Sequence, residues 1–198
     1  TGGPLTAIED TCHDLAGWRR VGGNSDDLVT SMVGVAWVRE DLVLLADMLA
    51  KLPKDTVLPD ECATALASSR DYEYDLCPTA RSEFGLYRRI EQINAQKEDG
   101  RSLPGWLVDW PHLNARIAAD QGRLCDPRLV AKLRADALAA SLLPPAPACG
   151  KWQRRADPVG CKLYETLRSQ IRIGYLDRRS DQAQMLALMR TVDWLRAQ

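Results

Sequence analysis

The sequence predicts an all-α protein, a disulfide-stapled irregular helical bundle of about seven to eight helices around a long central helix at about residues 26–52. Apolar residues recur at helical spacing along most of the chain. No segment alternates apolar and polar residues long enough for a convincing strand, and residues 171–176 come nearest. Six cysteines, an even number without C-x-x-C spacing, favour three structural crosslinks.

The first two helices are predicted from spacing and capping residues. Leu5, Ile8, Cys12 and Leu15 recur at helical intervals, and Gly17 permits a stop. The central helix follows the cap-forming residues 24–27 and ends before Pro53. We expect this helix to be enclosed on several sides, because apolar residues extend beyond its main stripe. These residues are Val33, Trp37, Val38 and Leu44.

The rest of the chain is predicted as shorter helices separated by turns. Helices are expected at 59–67 and 78–96, with a polar, tyrosine-bearing loop at 68–75 between them. Pro111 and Pro127 occupy positions typical of a first helical turn. Two final helices are expected near 159–171 and 180–197, after a stiff proline-rich connector at 144–147. The last helix is predicted to direct Met185, Leu188, Met189, Val192 and Leu195 to the core.

We expect one helical domain spanning residues 1–198. A polar linker at 97–102 allows a subdivision into 1–97 and 103–198, although both parts are rich in leucine and alanine and neither looks independent.

The charge balance limits the possible partners. The chain has 26 basic and 27 acidic side chains, so we expect no nucleic-acid partner, which would need a sustained positive field. No apolar run approaches the roughly 18 residues of a bilayer-spanning helix. Because the sequence begins at Thr1 rather than methionine, we allow for a signal peptide or membrane anchor removed before Thr1.

The cysteines indicate the compartment. Several lie in polar or proline-rich surroundings, where a buried free thiol would gain little, so we predict disulfides in a periplasmic or extracellular protein. The predicted pairs are Cys62–Cys77, Cys149–Cys161 and Cys12–Cys125. The alternative is six reduced thiols in a cytosolic helical scaffold. Metal binding is not expected, since the chain has only two histidines.

Catalytic and cofactor motifs are absent from the sequence. There is no nucleophile elbow, phosphate-binding glycine loop or zinc-protease motif, and no cofactor is expected. Asp109 could orient His112 as a proton acceptor, although it also reads as an ordinary helix cap. Glu83 is the only other acidic residue that we consider as a catalytic candidate. The enzymatic alternative is therefore an envelope-directed hydrolase that uses Glu83 or Asp109 with His112.

Two clusters look like recognition surfaces. Tyr72 and Tyr74 lie among charges, and tyrosines on a braced loop provide contact area at small entropic cost. Trp152, Arg154 and Arg155 form a basic-aromatic cluster between two cysteines. We therefore expect an exported module without catalytic activity that binds another protein in the periplasm or envelope. An inhibitor or immunity-type protein and an accessory subunit of an envelope complex both fit.

Overall fold

A computed structural model describes residues 3–95, 107–135, 148–196 and 198, without the side chains at 94, 95, 130, 133, 134 and 168–177. Within these ranges the chain is helical, and no strand occurs, as the sequence predicts. The α-helices are α1 (Pro4–Asn24), α2 (Leu28–Ala50), α3 (Asp60–Ala65), α4 (Asp71–Tyr74), α5 (Cys77–Ala95), α6 (Trp110–Gly122), α7 (Pro127–Ala135), α8 (Lys151–Ala156) and α9 (Pro158–Arg196), with a 3₁₀ turn at Arg123–Cys125.

Helices α1 and α2 form an antiparallel hairpin with a very close crossing. A Cβ atom added to Gly34 would lie 2.6 Å from the Cα atom of Gly22, so α2 could not carry a side chain at Gly34 without a movement of the backbone. Ser31 donates a hydrogen bond of 2.7 Å to the Gly22 carbonyl at the same crossing. The side chain of Asp27 caps α2 by accepting from the Thr30 amide, as the sequence predicts for residues 24–27.

The described residues contain two main hydrophobic cores. The first core joins α1, α2 and α3 to the C-terminal part of α9 and includes Ile8, Leu15, Leu42, Leu45, Leu49 and Leu186. The second core joins α6 to the N-terminal part of α9 and includes Val108, Leu113, Ile117 and Tyr164, with Phe84 and Tyr87 of α5 packed against it. Because α9 contributes to both, a single helix links the two cores.

All six cysteines are paired, but two of the predicted pairs are wrong. The predicted Cys149–Cys161 pair is present, with Cα atoms 5.9 Å apart. Cys62 and Cys77 do not pair with each other, and neither do Cys12 and Cys125. The observed bridges are Cys12–Cys62 and Cys77–Cys125, with Cα distances of 5.0 and 4.5 Å. The reason is spatial, since α1 packs on α3 and α5 packs on the 3₁₀ turn.

Several helix boundaries also differ from the prediction. Helix α1 continues through Gly17 to Asn24, because its second half packs on α2. The two predicted terminal helices are one continuous helix, α9. Part of the predicted 68–75 loop forms α4. The predicted linkers at 97–102 and 144–147 lie outside the described residues.

Several residues predicted to be enclosed face outward. Val33, Trp37 and Leu44 of α2 are 42%, 49% and 47% exposed. Leu188 and Leu195 of α9 are also exposed, whereas Met189 lies in the first core as predicted, together with Leu186. Among the described helices, none combines the length and apolarity that a membrane crossing requires.

Candidate functional site

A buried ion pair positions the tyrosine-bearing helix α4. Glu73 of α4 accepts two hydrogen bonds from Arg19 of α1, at 2.7 Å from Nη2 to Oε1 and 3.1 Å from Nε to Oε2. Both side chains are almost fully buried, with relative exposures of 5% and 2%. This bidentate geometry is the strongest form of a guanidinium–carboxylate contact, and it fixes α4 on α1.

The remaining donors of Arg19 fix the segment between α3 and α4. Nη1 donates to the carbonyls of Ala65 and Ala67 at 2.5 and 2.8 Å, and Nη2 donates to the Ser68 carbonyl at 3.2 Å. A guanidinium has five N–H donors, and all five are therefore used. Because burial of an ion pair is tolerated only when its donors are satisfied, this network holds α4 in one orientation.

The two tyrosines of α4 are half-buried rather than free. The ring of Tyr72 lies against Gly23 of α1, where an added Cβ atom would come within 2.6 Å of two ring carbons. Tyr74 packs against a small cluster built on Leu76 and Leu129. Each ring therefore supports the fold with one part and offers the rest to solvent.

Tyr72 also borders an open groove with a volume of about 750 Å³. The Cys77–Cys125 disulfide forms part of its wall. Tyr72 also lines a smaller crevice of about 60 Å³, together with Arg19 and Glu73. The groove is lined by Asp71, Tyr72, Asp75, Cys77, Pro78, Arg81, Cys125, Pro127 and Ala131.

The groove offers both charge signs around apolar walls. Asp71 and Asp75 are acidic, whereas Arg81 on α5 is basic. Asp75 also accepts a hydrogen bond of 2.9 Å from the Cys77 amide, which orders the start of α5. An open groove with mixed charges and a braced aromatic suits non-covalent contact with a peptide segment.

The second predicted recognition cluster lies on a separate surface. Trp152 is 78% exposed, and the guanidinium carbon of Arg155 lies 5.3 Å from its ring centroid. Arg154 pairs with Glu165 at 2.8 Å. No residue of α8 lines the groove, so these side chains do not join Tyr72 and Tyr74 in one site.

The three acid–base candidates have different neighbours. Asp109 accepts a hydrogen bond of 3.1 Å from the His112 amide, and its other oxygen lies 3.3 Å from Nδ1 of His112. Both side chains are largely exposed, and Asp109 caps α6. Burial, and then the nearby charge of Asp27, raise the pKa of Glu83. The structure therefore brings Asp109 and His112 together, whereas the charged neighbour of Glu83 is the cap of α2.

The described part of the chain contains no group of three or more His, Cys, Asp or Glu side chains that could hold a metal ion. All six sulfurs are in disulfides and so offer no thiolate.

Comparisons with protein-family models, curated proteins and solved structures found no match to this chain.

Arg19 and Glu73, which hold the site, were missed by sequence reasoning, although a signal for Arg19 was present. Arg19 extends the helical series Ile8, Cys12 and Leu15 by a further step of four residues. A charged residue at the next position of an apolar stripe indicates a buried charge that needs a partner. No comparable signal marks Glu73, since the four-residue helix α4 is too short to show a stripe.

Proposed function

We propose that this chain is a protein-binding module without catalytic activity, that it works in the periplasm or another exported compartment, and that the groove beside α4 contacts the partner. The observation that carries the proposal is the braced groove itself. The Arg19–Glu73 network fixes one side, and the Cys77–Cys125 disulfide fixes another. A preorganised groove loses little conformational entropy when it binds a segment of another protein.

The disulfides support the compartment. Three bridges that use all six cysteines are typical of proteins that fold under oxidising conditions. Titration of thiols in the denatured, unreduced protein tests this part. We expect no titratable thiol, and six thiols in protein isolated from its native source would contradict an exported location.

A photo-crosslinking experiment tests the groove. A photoreactive residue at Asp71, on the groove rim, should crosslink one protein in extracts of the native envelope. Ala131→Trp places a bulky ring in the groove, since Ala131 is exposed and lines it. This substitution should reduce the crosslink yield about tenfold, because steric exclusion removes the contact surface.

Ala119→Trp is the matched control, since Ala119 is an exposed position of α6 away from the groove. It should leave the crosslink yield unchanged. Equal yields in Ala131→Trp and Ala119→Trp, or no crosslinked protein in either, would contradict the groove as the binding surface. Crosslinks that instead form only from Trp152 would place the function on α8.

A further inference from the structure

A second surface, distinct from the groove, carries exposed apolar side chains on one side of the α1–α2 hairpin. We call it the α1–α2 face, and it comprises the half-buried Trp18 and the exposed Val21 of α1 with the exposed Val33, Trp37 and Leu44 of α2. The Trp18 and Trp37 rings stack with centroids 5.7 Å apart. Val21, Val33, Trp37 and Leu44 are all between 41% and 49% exposed. Spacings of three, four and seven residues keep each set on one side of its helix.

Two carboxylates lie one turn along from the stacked tryptophans. Asp14 precedes Trp18 by four residues, and Asp41 follows Trp37 by four. They interact electrostatically across the hairpin, and burial together with the charge of Asp14 raises the pKa of Asp41 to about 6. Oδ2 of Asp41 is shielded from solvent and has no hydrogen-bond partner among the described residues. A carboxylate oxygen in this position lacks a donor.

Basic side chains of the two helices point elsewhere. Arg20 and Arg39 each follow a stacked tryptophan by two residues, which turns them about 200° away around their helices. The third arginine, Arg19, is buried against Glu73. The α1–α2 face is therefore apolar and negatively charged.

We propose that the α1–α2 face docks a helical segment of another protein that carries a lysine or arginine among apolar side chains. The cation would supply the donor that Oδ2 of Asp41 lacks and would offset the repulsion between Asp14 and Asp41. The apolar side chains would cover Trp37 and its neighbours, and a guanidinium could also stack on the indole. No residue of this face lines the groove, so the proposal stands independently of the groove.

Charge complementarity also decides against two other occupants. A symmetric contact with a second copy would bring no cation from α1 or α2 to Asp14 and Asp41, because the arginines of these helices point away from the face. An anionic membrane surface would be repelled by the same charges.

Binding of two synthetic peptides to the full chain tests the proposal. Both are amphipathic helices with leucines on one face, and they differ only in carrying central arginines or central glutamates. By fluorescence anisotropy, we expect the arginine peptide to bind about tenfold more tightly or better, because only it complements the carboxylates. Asp14→Asn with Asp41→Asn, and separately Trp37→Ala, should each weaken its binding about tenfold.

Matched controls separate this face from general charge and hydrophobicity. Glu9→Gln removes an exposed acid from another side of α1, and Trp194→Ala removes an exposed tryptophan of α9. Both controls, and Ala131→Trp in the groove, should bind the arginine peptide like the parent chain.

Three results would overturn the proposal. The first is that both peptides bind equally well or that neither binds. The second is that the face variants and their controls lose the same amount of affinity for the arginine peptide. The third is a different occupant, shown by concentration-dependent dimerisation that Trp37→Ala abolishes or by binding to anionic lipid vesicles.

Discussion

The two cores of this protein achieve helix packing by different means. The α1–α2 hairpin, which contributes to the first core, brings two helix backbones together, since a Cβ atom added to Gly34 would lie 2.6 Å from Gly22. The second core relies on larger rings and includes Tyr164, with Phe84, Tyr87 and Trp110 packed around it. Close backbone packing tolerates little change in side-chain size, whereas packing between large side chains can adjust by changing rotamers. The first core should therefore be the more sensitive to substitution.

The largest expected effect is on the buried ion pair next to the first core. Glu73→Leu leaves the Arg19 guanidinium buried without its carboxylate, which should lower the free energy of unfolding by about 3–5 kcal/mol. Arg154→Ala removes the more exposed ion pair with Glu165 beside the second core. It should lower the free energy of unfolding by less than about 1 kcal/mol. Urea unfolding measures both. Equal losses would contradict the assignment of Arg19–Glu73 as a buried, fully satisfied pair.

The disulfides allow a second comparison of the two cores. Cys12–Cys62 closes a longer loop, with a sequence separation of 50, than Cys149–Cys161 with a separation of 12. Loop-closure entropy then predicts that replacement by serines lowers the free energy of unfolding by about 4 kcal/mol for Cys12–Cys62 and by about 3 kcal/mol for Cys149–Cys161. Thermal unfolding of the two double variants checks the order. A larger loss from Cys149–Cys161 would show that native contacts, rather than the unfolded chain, determine the effect.

Gly34→Ala tests the close backbone crossing directly. The new methyl group would overlap Gly22, and the helices would have to separate. We therefore expect the free energy of unfolding to fall by about 2–3 kcal/mol. Gly85→Ala in α5 is the matched control, because an added Cβ atom meets nothing within 4 Å there. It should stabilise the protein by about 0.5–1 kcal/mol, since alanine favours the helix. Chemical denaturation of both variants would show opposite signs.

The smallest expected effect is a pH dependence located at the hairpin. The folded-state pKa of Asp41, about 6, lies above its ordinary value of 3.8. The stability that protonated Asp41 provides is therefore complete below pH 3.8 and is lost as the pH rises through 6. Asp41→Asn should raise stability by about 1 kcal/mol at pH 7.5 after allowance for solvent screening, and by nothing at pH 3.5. Melting curves at both pH values test this, and an equal gain at both would contradict it.

Local features of this fold were predictable from sequence. Asp27 and Asp109 cap α2 and α6 because an N-cap depends on residues within one turn. The Cys149–Cys161 bridge joins near neighbours in sequence and was predicted correctly, although the same reasoning wrongly paired Cys62 with Cys77.

Features that depend on which helices become neighbours were not predictable. Cys12 could be assigned to Cys62 only with the knowledge that α1 packs on α3. The same limit applies to the candidate site. The sequence singles out Tyr72 and Tyr74 as recognition residues, but the groove wall comes from α5, α7 and the 3₁₀ turn, whose approach to α4 is a matter of tertiary packing. The exposure of Trp37 likewise follows from the absence of a described helix over that side of α2.

The continuity of α9 has a consequence for how the protein unfolds. At 39 residues it extends about 58 Å, and its opposite ends hold Tyr164 and Leu186 in separate apolar clusters. If either cluster unfolded, one end of α9 would lose its tertiary contacts. A helix in water is only marginally stable without such contacts. Melting at one end would thereby weaken the other, and calorimetry should record a single cooperative transition from a molecule that has two separate interiors.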